Sequence, residues 1–195
     1  MRRPVLPAVV ALFCAAVVSL FWLSPAGLAQ TPSQQQSQSQ SKEQTPPPQQ
    51  RGPATADERA RVVKTAQELQ SDPLSRDSRP DREWFVKWIV EVPDVSVPFC
   101  ATLLGDMGDK DTGYPGALVA AEVASEAALV IQHPDKAHDE PAQYLAGVEG
   151  ALMAYQRIRG ASPKYRVKEL DELARKREQG KLPQAVAEAA TKCKK

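Results

Sequence analysis

The densest group of side chains able to do chemistry lies between residues 133 and 140, where His133, Asp135, His138, Asp139 and Glu140 follow closely on one another. Imidazoles and carboxylates are the ligands that divalent metals take, but a zinc site needs three or four of them converging on one point. A His-x4-His spacing in a loop does not enforce that convergence. No metal site is expected, and His133, Asp135 and His138 are the only candidates for one. The loop Gly105 to Gly116 (GDMGDKDTGYPG) carries three Asp and four Gly, a composition that suggests calcium. An EF-hand loop ends on a Glu at its twelfth position. Counted from Asp109 that position is Ala120, so the stretch reads as a solvated turn. The chain contains neither G-x-S-x-G nor H-E-x-x-H, and its paired carboxylates are spread over helix surfaces. The residues point to no catalytic group and no cofactor, and the chain is read as non-enzymatic. Trp84, Phe85, Trp88, Tyr144 and Tyr155 could line a pocket for an apolar or sugar ligand. Their helical spacing fits a core better.

Cysteine usage bears on compartment. The first 29 residues have a basic start (Arg2, Arg3), an apolar run from Ala8 to Leu23, and a small-residue exit at Ala26-Gly27-Leu28-Ala29. That is the layout of a secretory signal peptide cleaved after Ala29. The alternative is a retained anchor, for which the apolar run is short. Cleavage removes Arg2, Arg3 and Cys14, leaving 23 basic and 24 acidic residues and the pair Cys100 and Cys193. Near-neutral balance argues against a general grip on nucleic acid or anionic membrane. Two cysteines in an exported chain are most simply one disulfide. The expected location is periplasmic or secreted, with no membrane insertion once the signal is gone.

These residues have to be positioned by helices. Residues 30–54 (QTPSQQQSQSQSKEQTPPPQQRGPA) lack Val, Ile, Leu, Met and aromatics and are expected to form a disordered linker. Residues 55–195 are expected to fold. Thr55 and Glu58 fit a capping box, with Val62, Ala66 and Leu69 as the stripe behind it. Asp81 is placed as the cap of a second helix bearing Trp84, Phe85, Trp88, Ile89 and Val92. A strand is its rival, because WFVKWIV is rich in β-formers. An Ala-rich run from Ala117 to Gln132 reads as the central helix, polar only at Glu122, Ser125, Glu126 and Gln132. Asp139 and Pro141 open the next helix, and Gly160 is expected to close it. Ser162-Pro163 is expected to start another that Gly180 stops, with Val167, Leu170 and Leu173 inward. Pro183 to Thr191 forms the last, with Val186 and Ala190 inward. The fold class is all-α, a compact bundle of five or six helices. Lys164 to Lys181 mixes charge signs at i,i+4 and reads as a solvated face or a docking surface.

Three resemblances follow from particular strings. His133-Pro134-Asp135 resembles the loop of J-domain co-chaperones. The helix before it carries Glu122 and Glu126 and no Lys or Arg, where such a domain needs a basic helix; the string reads as a turn between helices. Arg82 to Val95 (REWFVKWIVEVPDV), His133 to Ile158 and Leu170 to Cys193 resemble a family of exported bacterial proteins that has no assigned activity and supplies no catalytic residues. Tyr144-Leu145-Ala146-Gly147-Val148 with a final-helix Cys193 is similar to small helical periplasmic immunity proteins, which neutralise cell-wall amidase toxins of the type VI secretion system. The tether of residues 30–54 and the mixed-charge surface point to a module that binds another envelope or secreted protein. An immunity-type inhibitor, or a metal- or small-ligand-binding protein using the 133–140 loop, are the alternatives.

Overall fold

The computed structural model describes residues 51–100, 102–108 and 112–193. The proposed signal peptide and residues 30–50 of the proposed linker lie outside the described residues. Six α-helices and one 3-10 turn account for the regular structure, and no strand occurs among the described residues. The helices are α1 (Ala56–Ser71), α2 (Arg79–Glu91), α3 (Tyr114–Gln132), α4 (Glu140–Ala161), α5 (Lys168–Glu178) and α6 (Leu182–Ala190). The 3-10 turn, Pro134–Lys136, links α3 to α4.

The N-terminus of α1 forms as its residues dictate. Thr55 Oγ1 accepts the Glu58 amide, and Glu58 returns a carboxylate oxygen to the Thr55 amide at 2.8 Å. Behind this box Val62, Ala66 and Leu69 are fully buried. Arg51 to Ala54, assigned by composition to the linker, already touch the bundle. Arg51 pairs with Glu58, and the Ala54 amide donates to Asp94 Oδ1 at 2.8 Å.

The WFVKWIV stretch is helical, and Phe85, Trp88 and Val92 are buried on one side of α2. Asp81 does not cap it. The helix begins two residues earlier, after Ser78, with Pro80 in its first turn, where a missing N–H costs nothing. The Asp81 carboxylate is instead taken by Arg61, whose Nε and Nη2 donate to it at 2.8 and 2.6 Å.

The Ala-rich α3 is the centre of the fold. It packs most extensively on α4 and next on α1. Ala117, Ala120, Ala121, Ala124, Ala127 and Ala128 are all buried, so neighbouring backbones can approach closely from several sides. The helix starts at Tyr114 rather than Ala117 because Gly113, at φ 75°, turns the chain and Pro115 suits a first turn.

Helix α4 opens as expected, with Asp139 Oδ1 accepting the Ala142 amide at 3.1 Å. It does not close at Gly160. It continues to Ala161, and the Ser162 amide still bonds to Ile158 O at 2.7 Å. Pro163 ends it, since the residue before a proline is pushed out of the helical region. Nor does the next helix begin at Ser162. The Val167 amide donates to the Tyr155 hydroxyl at 2.9 Å, holding residues 163–167 as a turn, and α5 starts at Lys168. Gly180, at φ 68°, stops it as expected. Helix α6 starts at Leu182, one residue before Pro183, and buries Leu182 and Val186; Ala190 is only half-buried. Cys100 and Cys193 form a disulfide across 93 positions, with a Cα–Cα separation of 5.5 Å.

Candidate functional site

The 133–140 stretch is a connector. His133, Asp135 and His138 are all exposed, Asp135 within the 3-10 turn and the histidines on either side of it. The two histidines line different depressions. His133 sits on the one between α1, α3 and α4, and His138 on the one beside Pro93–Pro98. Among the described residues no three His, Cys, Asp or Glu side chains gather as a metal would require. Asp139 is engaged twice, as the α4 cap and as partner to Lys136 Nζ at 2.9 Å. That lysine holds the Asp139 carboxyl below the usual range.

The glycine-rich loop is tied down at its described end. Asp106 Oδ1 accepts the Gly108 amide at 3.0 Å, and the Tyr165 hydroxyl donates to Met107 O at 2.8 Å. The Tyr165 ring packs edge-on against Tyr114, whose hydroxyl lies 2.7 Å from Ser162 Oγ. Burial pushes the Tyr165 phenol up to about 12. Asp109 and Asp111 lie outside the described residues.

Of the aromatic set, Phe85, Trp88, Tyr144 and Tyr155 are buried core residues. Trp84 is half-buried beneath Arg61, whose guanidinium carbon stands 4.0 Å from the ring centroid.

The feature not recognised from the sequence is an acid pair inside the bundle. Glu122 and Glu126 lie one turn apart on α3, and both are buried. Glu126 rests on Gly147 of α4: a Cβ built there would come within 2.5 Å of its Oε1. Its Oε2 is buried with no hydrogen-bond partner among the described residues. Next to it, Ser125 Oγ donates to Ala121 O at 2.6 Å and accepts Gln70 Nε2 from α1 at 2.9 Å. Desolvation pushes Glu122 up to about 8. Desolvation, then the neighbouring Glu122, pushes Glu126 to about 9. Both are therefore neutral carboxylic acids at pH 7, which is how a buried acid without a cation escapes the cost of burying charge. Neither lines the depressions at the two histidines. The sequence held a signal: two acids at i,i+4 inside an apolar run, with Gly147 and Gly150 at i,i+3 on the helix that covers them.

A further open surface lies on α5 and α6. A groove of about 600 Å³ runs between these helices, floored by Leu103, Leu173, Ala185 and Ala189 and walled by charged side chains. Comparisons of the chain with protein-family models, curated proteins and solved structures return no match.

Proposed function

We propose that this protein is a non-enzymatic helical module, exported from the cytoplasm, that binds another protein in the envelope or outside the cell. One observation carries the reading: the aromatic residues that could have built a ligand pocket, Phe85, Trp88, Tyr144 and Tyr155, are packed in the core, while charged residues crowd the outer face of α5. Interior packing of this kind supports rigidity, and the chemistry left to the solvent is that of surface recognition. The Cys100–Cys193 bridge is compatible with an oxidising compartment and supports export, which the basic-apolar-small N-terminus suggests independently.

The test is capture from envelope extract. Full-length protein, secreted in its oxidised form, is crosslinked in place and recovered. A reproducible protein partner is expected, and repeated recovery without one overturns the reading. An immunity-type inhibitor is the special case in which that partner is a secreted toxin. Its support is the resemblance carried by Tyr144–Val148 and Cys193, a cysteine that the structure places just beyond α6. A toxin gene beside this one is then expected, and its absence removes that case alone.

A further inference from the structure

The groove between α5 and α6 has an unusual electrostatic state. Helices α5 and α6 are joined through a tight turn at Gly180 and pack as neighbours. Lys176, near the end of α5, and Lys181, just before α6, flank that turn. Glu169 stands near the start of α5, Glu172 midway along it and Glu188 toward the end of α6, with Lys192 beyond. The turn end is thus basic. The rest of the groove sets three carboxylates against one ammonium.

None of these six side chains takes part in an ion pair among the described residues. Glu172 and Lys176 are placed at i,i+4 to pair along α5, yet they do not. Elsewhere the surface behaves otherwise: Lys64 pairs with Glu68 and Arg79 with Glu83 at that same spacing. Glu169 and Lys176 are seven residues apart, roughly 10 Å along the helix axis. Glu172 stands between them, one turn and about 6 Å from Lys176, so the acidic patch runs up to the basic one and the charge grades along the groove.

Along the groove lies an apolar floor. Leu103 and Leu173 are buried beneath it, and Ala185 and Ala189 are small residues one turn apart that leave room above them. A groove between two packed helices with an apolar floor can take the apolar face of an amphipathic helix. Leu103 belongs to the turn that follows Cys100, and the disulfide joins that turn to the end of α6, so floor and wall are held together covalently.

We infer that this groove binds an amphipathic helix of a partner protein, with acidic residues at one end of its contact face, basic residues at the other, and an apolar stripe between. This rests on the binding-module reading above and adds to it a location and a partner chemistry.

The test uses the full-length oxidised protein and synthetic helical peptides sharing one Leu/Ala stripe. One peptide has Glu at one end and Lys at the other; a second is all-Glu and a third all-Lys at the same flanking positions. Fluorescence anisotropy should show the block-charged peptide binding at least tenfold tighter than either single-sign peptide, with the difference shrinking in high salt. In K176E/K181E, whose groove is acidic apart from Lys192, the all-Lys peptide should become the tightest. Both lysines are exposed, so the fold should survive, and circular dichroism checks it. Equal binding by all three peptides, no binding of any at 1 mM (~4 kcal/mol), or an unchanged order in the variant overturns the inference. So does sedimentation showing that the groove is filled by a second copy of the chain. Envelope capture with the same variant separates the two claims. A partner kept by both wild type and K176E/K181E refutes the groove and leaves the module, whereas no partner for wild type refutes the module.

Discussion

Consider titration of the acid pair on α3. Above pH 4.5 an unfolded chain has shed the protons of Glu122 and Glu126, while the folded chain keeps them until about 8 and about 9. In that window the native state binds more protons than the unfolded state, so raising the pH favours unfolding. Each group contributes a slope of about 1.4 kcal/mol per pH unit. From pH 5.5 to 7.5, two groups over two units remove on the order of 5 kcal/mol, comparable to the whole stability of many domains. Below pH 4.5 both states are protonated and the contribution is flat; above 9 it has been lost in full. The carboxylates held low by partners act with the opposite sign and in a different window. Asp81, lowered by Arg61, and Asp139, lowered by Lys136, lend stability that disappears as the pH falls below about 4. Stability should therefore peak near pH 5. Urea denaturation followed by far-ultraviolet circular dichroism at pH 5.5, 6.5, 7.5 and 8.5 measures the slope. In the double variant E122Q/E126Q, which cannot ionise, the fall between 5.5 and 7.5 should vanish even if the buried amides shift the absolute value. A wild-type profile that is flat across this range, or a double variant as steep as wild type, refutes the reasoning.

Other outcomes follow from the packing. Gly150→Ala would place a Cβ 1.9 Å from Ser125 Oγ and 3.0 Å from the Ala121 carbonyl, and should cost about 1–3 kcal/mol in urea denaturation. Replacing Cys100 and Cys193 with Ser opens a 93-residue loop, and calorimetry should show a loss of up to about 4–5 kcal/mol by the chain-entropy argument. Thr55→Ala removes half of a capping box and should cost about 1 kcal/mol by the same denaturation assay. His133→Ala and His138→Ala, at exposed positions, should each leave stability within about 0.5 kcal/mol, and elemental analysis of the protein should be the same before and after.

What could be read from the sequence was whatever depends on neighbours close along the chain. The Thr55–Glu58 box, the Val62–Ala66–Leu69 stripe, the Asp139–Pro141 opening and the Gly180 stop all use groups within one or two turns. The cysteine pair was legible because only two candidates remain after Cys14 is set aside. The readings that failed were those decided by a distant group. Asp81 looks like a cap until Arg61, twenty residues earlier, claims it. Residues 162–167 look like a helix start until the Tyr155 hydroxyl takes the Val167 amide. Glu126 looks like part of the polar side of a helix until α4 brings Gly147 against it, with Gly150 on the neighbouring Ser125. A groove made by two helices and a turn some eighty residues apart leaves still less trace in the local pattern.

The link between Cys100 and Cys193 also has a bearing on timing. Its two sulfurs are separated by α3, α4, α5 and α6, so it cannot close before the last of these has been synthesised and brought alongside the first. Until then α1, α3 and α4 must find one another by packing alone. Once formed, the bond shortens the paths open to an unfolded chain, and a chain cut once between the two cysteines would remain a single covalent molecule.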